Sequence, residues 1–383
     1  MGVNIVTFSS SGGAGNVANT LREGFLQHGI DAVIHTAIDS NLRSQPLGFP
    51  TATAAASVDN YLLKRKSWPS LVSYKRDQLS LVKNDFSDSN LVIFRWMNGI
   101  LGEKFLDEYS GPRPVWGLAD MNPFTGVCHY SGECQGFKND CASCPALRGP
   151  FKHLASRNLS NKSEVLDRID PRFVAPTDWI LGESASSSLL RGRELHKILN
   201  PLSERFFSVS REGKAPNSKR LKLLINAANL DDPTKGVWNV LPQLKSAINS
   251  GNFEFQLVGL ASRRLRSELN GANFYGQVPN SEILSILHNT QALLVPSLFE
   301  NAGTVVAEAA SQGVPSIARR VGGMPEMTNH GDTGFLFDSS KELGTLLSSL
   351  TASELEEKGR LAKEWSQGLR PKQICQIYID KFL

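Results

Sequence analysis

The sequence predicts an α/β protein built from two similar halves, and three observations carry that expectation. Val3 to Phe8 and Leu221 to Ala227 are apolar runs of the kind seen in parallel strands that are covered on both faces. Each run leads through a loop of small residues into a helical pattern. Strand-like and helix-like segments then alternate along both halves, which argues for parallel sheets. At 383 residues the chain exceeds one ordinary domain. The expectation is two Rossmann-like domains in tandem.

In the first half, Val3 to Phe8 is followed by Ser9, Ser10, Ser11, Gly12, Gly13, Ala14 and Gly15, then by a helical pattern from Val17 to His28. The glycines depart from the G-x-G-x-x-G order of a dinucleotide site. They indicate only that loop backbone comes close to some ligand. Ala32 to Thr36 reads as the second strand, and residues 37 to 60, rich in Ser, Asn, Thr and Pro, read as loop. Lys64, Arg65, Lys66, Trp68, Tyr74, Lys75 and Arg76 follow. They suit either a solvated helix flank or a surface for an anionic acceptor, such as a lipid-linked phosphate at a membrane face. Leu91 to Phe94 and Pro114 to Leu118 are buried strands with a helix from Ile100 to Tyr109 between them. Phe173 to Pro176 is a strand, Thr177-Asp178-Trp179 caps a helix, and Lys197 to Leu199 is the last strand of this half.

In the second half, Leu221 to Ala227 leads into the loop from Ala228 to Thr234, and Lys235 and Gly236 open a helix through Leu244. A lysine there either faces solvent or sets its ammonium against a phosphate. Phe255 to Val258, Phe274-Tyr275, Leu293 to Val295, Pro315 to Ala318 and Phe335 to Phe337 supply short strands, and Ser281 to His288 and Ala302 to Gln312 read as helices. Pro371 to Leu383 is amphipathic, with Ile374, Ile377, Tyr378 and Phe382 at helical spacing. The boundaries follow: an N-terminal domain at 1–201 with a Cys-rich insertion near 125–150, a linker at 202–219, a C-terminal domain at 220–366, and a final helix at 367–383 packing back on the N-terminal domain.

Composition narrows the function. A formal net charge of +4 is too small to point to nucleic acid. The N-terminus is a strand and a glycine loop rather than a charged region followed by a long apolar one, and no run of about 18 apolar residues occurs. A cytoplasmic protein is expected, acting at the inner face of the membrane if the basic stretch meets a lipid-linked acceptor.

The densest chemistry lies between Leu293 and Met327. A buried strand, a loop and a helix opening near Ala302 place Glu300 in the loop and Glu308 in the helix. Asn301, Ala302, Gly303 and Thr304 between them are small enough to let a ligand reach the backbone. A helix N-terminus offers unpaired N–H groups and a positive dipole end, which suit a phosphate. With carboxylates placed to accept from hydroxyls, the layout matches a sugar nucleotide. Either carboxylate read alone could be an ordinary surface group.

Four of the five cysteines, Cys128, Cys134, Cys141 and Cys144, fall in one short stretch. In a cytosolic chain such clustering points to a metal or to redox chemistry more than to disulfides. Only Cys141 and Cys144 have C-x-x-C spacing. A structural zinc, with His129 able to replace one ligand, stands beside disulfides or free thiols.

These motifs together resemble the retaining family 4 glycosyltransferases. ENAGTVVAE matches the family's E(x7)E pair at Glu300 and Glu308, and Lys235-Gly236 matches its lysine-glycine pair. VAPTDWI, ILNPL and VPNSEILSILHNTQALLVPSLFENAG are similar to further family elements. PVWGLADMNPFTGVCHYSGEC…CASCP looks like a subgroup that modifies bacterial surface polysaccharides. The resemblance implies the GT-B fold, two Rossmann-like domains facing across a cleft. It implies a nucleotide-diphosphate sugar as donor, a glycan or lipid-linked acceptor, and no metal for catalysis. Glu308 would hold the ribose hydroxyls and Glu300 the donor sugar's. The N–H groups of Gly303, Thr304 and Val305, beside Asn301, would bind the diphosphate with Lys235, and Gly12 and Gly13 would approach donor phosphates or acceptor.

Two positions depart from the family. Its Arg six positions before the lysine is Asn229 here, and its N-terminal-domain His aligns with Ala119, next to Asp120. Arg319 or Arg320 could replace the first, and Asp120 could contact the sugar in place of the second. The sequence thus supports a hexosyltransferase, with a catalytically weak GT-B protein that binds a nucleotide sugar or glycan as the alternative. A sugar-nucleotide epimerase fits the E(x7)E arrangement less well.

Overall fold

The computed structural model describes residues 2–38, 85–97, 109–209, 219–279 and 281–383. The Ser/Pro-rich stretch beyond residue 38, the basic and aromatic stretch from Lys64 to Arg76, and the helix expected from Ile100 to Tyr109, apart from Tyr109 itself, lie outside these residues. The chain divides into two compact units, Met1–Pro201 with Pro371–Leu383, and Leu202–Arg370. Each unit is α/β around a parallel sheet, as the alternating pattern predicts.

In the first unit the described strands are β1 (Gly2–Ser9), β2 (Asp31–Ile38), β3 (Leu91–Phe94), β4 (Val115–Gly117), β5 (Arg172–Ala175) and β6 (Leu195–Lys197). They lie in the order β2-β1-β3-β4-β5-β6, with parallel pairings throughout. Helix α1 (Gly12–Gln27) starts earlier than the apolar periodicity suggests, because the glycines themselves make its first turn. Gly15 is pressed so tightly on the loop that a Cβ there would lie 2.4 Å from the Ser10 carbonyl carbon. Helix α2 (His153–Ile169) is a finding beyond the sequence reading. It buries Ala155, Leu159, Val165, Leu166 and Ile169, and its other face is polar.

The last helix of the unit, here α4 (Pro371–Phe382), buries Ile374, Cys375, Tyr378 and Phe382 in the same core as Val17, Leu21 and Phe25 of α1. The two helices touch closely at Gly24, where a Cβ would come within 2.5 Å of Cys375 Sγ. Beneath them Arg95 is 1% exposed, donates to Asn200 Oδ1 at 3.0 Å and interacts with Tyr378. Burial lowers the Arg95 pKa, and Tyr378 acts in the opposite direction.

In the second unit the strands are β7 (Leu221–Asn229), β8 (Phe253–Leu260), β9 (Asn273–Gly276), β10 (Ala292–Val295), β11 (Ser316–Arg319) and β12 (Gly334–Phe337). Their order is β12-β11-β10-β7-β8-β9. Counted from β7, this is the doubly wound order in which the connections reverse direction between the first strand and the fourth. Ligands of such sheets bind beyond the carboxyl ends of the strands at that reversal. Here that place is the pair of loops after β7 and β10. Helix α3 (Thr304–Ser311) follows the second of these loops.

Candidate donor site

The loop after β7 does not open directly into a helix, as the Lys235-Gly236 pair suggests. Asp232 Oδ1 accepts from Thr234 N–H at 2.8 Å, and Pro233–Lys235 forms one 3-10 turn. Gly236 ends that turn at φ 69°. A Cβ on Gly236 would lie 2.0 Å from the Pro296 carbonyl oxygen, so only glycine lets the turn rest against the strand end of β10. The regular helix begins later, at Leu241. Leu298 N–H donates to the Thr234 carbonyl at 2.8 Å and ties the two loops together.

That contact carries Lys235 to the E(x7)E loop. Lys235 Nζ and Glu300 Oε2 are 3.0 Å apart, with side-chain exposures of 34% and 17%. Asn301 is buried beside them. Gly303 then turns the chain at φ 36° into α3, and a Cβ there would stand 2.4 Å from Met324 Cε. No side chain caps α3, so the amides of its first turn, at Thr304 and Val305, have no acceptor within the helix. Glu308 is one turn further on the same face. Its carboxylate makes no hydrogen bond or ion pair among the described residues. Loss of water around it pushes its pKa up to about 7, while the nearby Arg205 guanidinium pulls in the other direction.

Lys235, Glu300, Asn301, Gly303, Thr304, Val305 and Glu308 are thus brought to one end of one sheet. The arrangement presents an ammonium, uncapped amides and a carboxylate without a protein partner, which suits a ligand carrying both phosphate and hydroxyl groups. Asn229 ends β7, and its Oδ1 accepts from Asp231 N–H at 3.0 Å, so it shapes the turn. The cations suggested as replacements at this position are engaged elsewhere. Arg319 donates to the carbonyls of Pro296 and Asp338, and Arg320 pairs with the Asp338 carboxylate at 3.3 Å.

The remaining candidates belong to the first unit. Gly12 and Gly13 start α1 behind Ser11, which provides no side-chain cap, and space around both is open. Asp120, expected to touch a sugar, instead has both carboxylate oxygens engaged. Oδ1 accepts from Asn122 N–H at 2.8 Å, and Oδ2 accepts from Trp96 Nε1 at 3.0 Å and lies 2.6 Å from His129 Nδ1. It is a buried anchor that orients His129, a pairing that the sequence reading missed. His129 accordingly sits with Asp120 rather than completing a thiol ligand set. Lys162 was missed too. It reaches from α2 to the carbonyls of Asn122 and Thr125, and burial lowers its pKa to about 8 while Asp120 opposes that shift.

The four clustered cysteines line one cavity of about 530 Å³ and form no disulfide. Among the described residues, no three His, Cys, Asp or Glu side chains are placed to hold a metal ion as they stand.

Comparison with known proteins gives this geometry its context. Residues 221–352, which contain the whole donor-site constellation, match the family described as Glycosyl transferases group 1. The chain is 29% identical over 154 residues to an uncharacterized 41.2 kDa protein in the cps region of Klebsiella pneumoniae, covering 39% of this chain and 43% of that one. It is 42% identical over 110 residues to D-inositol 3-phosphate glycosyltransferase of Corynebacterium glutamicum, covering 27% of this chain and 26% of that one. Each match spans less than half the length of these curated relatives. In three dimensions the chain is similar to Anabaena HepE solved with UDP and glucose, with a TM-score of 0.62 and 15% identity over 99% of this chain and 98% of that one. At that identity the likeness establishes the fold, which is the GT-B glycosyltransferase fold. The stretch that matches group 1 glycosyltransferases lies within the second unit.

Proposed function

We propose that the protein is a retaining, family 4-like hexosyltransferase that moves a sugar from a nucleotide-diphosphate sugar to a glycan or lipid-linked acceptor. The carrying observation is the meeting of Lys235, Glu300 and the uncapped start of α3, with the unpartnered Glu308 one turn along. The Lys235 ammonium and the amides of Gly303, Thr304 and Val305 receive the diphosphate, Glu308 accepts from the ribose hydroxyls, and Glu300 accepts from hydroxyls of the sugar. Charge that develops on the leaving diphosphate as the glycosidic bond breaks is met by these fixed donors. They supply the positive end of the reaction without calling on a metal.

Lys235 and Glu300 neutralise each other through their ion pair. Binding must separate them, the ammonium going to phosphate and the carboxylate to sugar. HepE solved with UDP-glucose, at a TM-score of 0.61 and 16% identity, supports a nucleotide sugar as donor. The relative in a cps region supports a role in surface polysaccharide synthesis. Among the described residues, no helix is long and apolar enough to cross a membrane. We place the reaction in the cytoplasm, with a lipid-linked acceptor met at the inner membrane face.

The alternative is a nucleotide-sugar-binding protein that does not transfer. It is favoured by Asn229 and by the engagement of Arg319 and Arg320 away from the lysine. A thermal-shift panel of nucleoside diphosphates and their sugars tests the proposal. Stabilisation by one nucleoside diphosphate and its sugars, lost in Lys235→Ala, supports it. No shift with any of them contradicts both readings.

A further inference from the structure

The loop from Thr125 to Leu147 holds side chains for which sugar transfer has no use. Between the short 3-10 turns at Asn122–Phe124 and Gly136–Lys138 it has little regular structure. Yet Val127, Phe137, Ala146 and Leu147 are all at most 1% exposed. Side chains buried from so irregular a loop gain from a cross-link that fixes its conformation.

Cys128, Cys134, Cys141 and Cys144 face one cavity in this loop and are close enough for their charges to interact. Backbone amides are aimed at their sulfurs. Gly136 N–H donates to Cys134 Sγ at 3.4 Å, two residues along the chain. The amides of Ala146 and Leu147, two and three residues along, do the same for Cys144, and Gly126 does so for Cys141. A neutral thiol is a weak acceptor, whereas a thiolate is the form that binds metal, and amides directed at sulfur support a metal-bound thiolate. Cys141 adopts φ 55°, which reverses the chain between Cys134 and Cys144. The buried Lys162 ammonium interacts with Cys128 and Cys141.

We propose that this cavity binds a thiophilic metal centre through Cys128, Cys134, Cys141 and Cys144, and that the centre cross-links the loop. The four side chains would hold the ion as thiolates. For a divalent ion the balance is four thiols and one cation giving a tetrathiolate of charge −2 and four released protons. Lys162 lies where it offsets part of that charge. Cys375, packed against Leu21 in a different core, takes no part. A zinc ion and an iron–sulfur cluster share this ligand chemistry.

The test is metal analysis of the full chain purified anaerobically without chelators, with assays for acid-labile sulfide and visible absorption. The expected result is about one zinc per chain, or iron matched by labile sulfide if the centre is a cluster. Cys134→Ser and Cys144→Ser should lose the metal and Cys375→Ser should keep it. Should the loop variants fail to fold, the wild type decides the matter. A strong chelator should lower its melting temperature, and Zn²⁺ or cluster reconstitution should restore it. Wild-type protein that stays metal-free after incubation with Zn²⁺ or reconstitution overturns the proposal. So does a disulfide within the cluster, or a melting temperature indifferent to chelator. None of these readouts depends on sugar transfer.

Discussion

Lys235 Nζ stands 3.0 Å from Glu300 Oε2, although the two residues are 65 positions apart. The contact exists because the turn of Lys235 and the loop of Glu300 follow the two strands, β7 and β10, that flank the reversal point of one sheet. Each side chain neutralises the other, and the proposed donor separates them.

Opposite effects on nucleotide binding should follow from removing either partner. Lys235→Ala deletes the ammonium that would meet the diphosphate. Loss of a charge-assisted contact costs about 1.5–3 kcal/mol, so UDP or the preferred nucleoside diphosphate should bind about 10- to 100-fold more weakly. Glu300→Gln releases the lysine from its ion pair, and the same nucleotide should bind at least as tightly as in the wild type. Isothermal titration calorimetry on both variants measures the contrast, and equal weakening in both would contradict it.

Glu308 should make stability depend on pH in a defined direction. Its pKa is raised from 4.5 in the open chain to about 7 in the fold. The folded state therefore holds the proton more tightly. Its stabilising contribution is full below about pH 4.5, is lost as pH rises through 7, and is absent above that. Thermal melts of wild type and Glu308→Gln from pH 4 to 9 should show their difference changing in that window and flat above it. A difference that is constant with pH would show that the carboxylate is not held as described.

Two glycines of the site should resist even alanine. At Gly303 the left-handed φ of 36° and the Met324 methyl group both oppose a Cβ. Gly303→Ala is expected to cost on the order of 1–3 kcal/mol and to disturb nucleotide binding by moving the α3 amides. At Gly236 the obstacle is the Pro296 carbonyl, a backbone group that cannot swing aside, and the cost should be larger. Chemical denaturation gives both values, and Gly13→Ala, which meets open space, is the control.

The C-terminal helix should be indispensable to the first unit. Deleting residues 371–383 uncovers the face of α1 that packs on Ile374, Cys375 and Tyr378, and removes the Tyr378 partner of the buried Arg95. Arg95 keeps Asn200 but loses Tyr378, which costs about 1–3 kcal/mol on top of the exposed apolar face. The truncated chain should lose the cooperative unfolding of that unit, measured by calorimetry, while the unfolding transition of residues 202–370 remains.

Much of the fold is legible in the sequence because buried parallel strands are apolar without interruption. Leu91–Phe94 and Ala292–Val295 stand out for that reason. Helix α2 is hard to see because its Asn, Ser, Lys and Arg positions outnumber the few that it buries. The Lys235 turn looks like a helix start until Gly236 is known to press on the Pro296 carbonyl. Of the donor site, the two glutamates and the lysine can be found from motif spacing, but their mutual contact depends on strand order. Asp120 reads as a sugar-contact candidate because nothing local announces that Trp96 and His129 close around it.

The most direct measurement is turnover of a panel of sugar nucleotides by wild type and Glu300→Gln, followed as release of nucleoside diphosphate with an acceptor extract present. The account predicts that the wild type consumes at least one sugar nucleotide and that the product keeps the donor's anomeric configuration. Glu300→Gln should be slower by about 100-fold or more, equivalent to roughly 3 kcal/mol of lost transition-state stabilisation. Failure of every sugar nucleotide to turn over, or equal rates in wild type and Glu300→Gln, would contradict it.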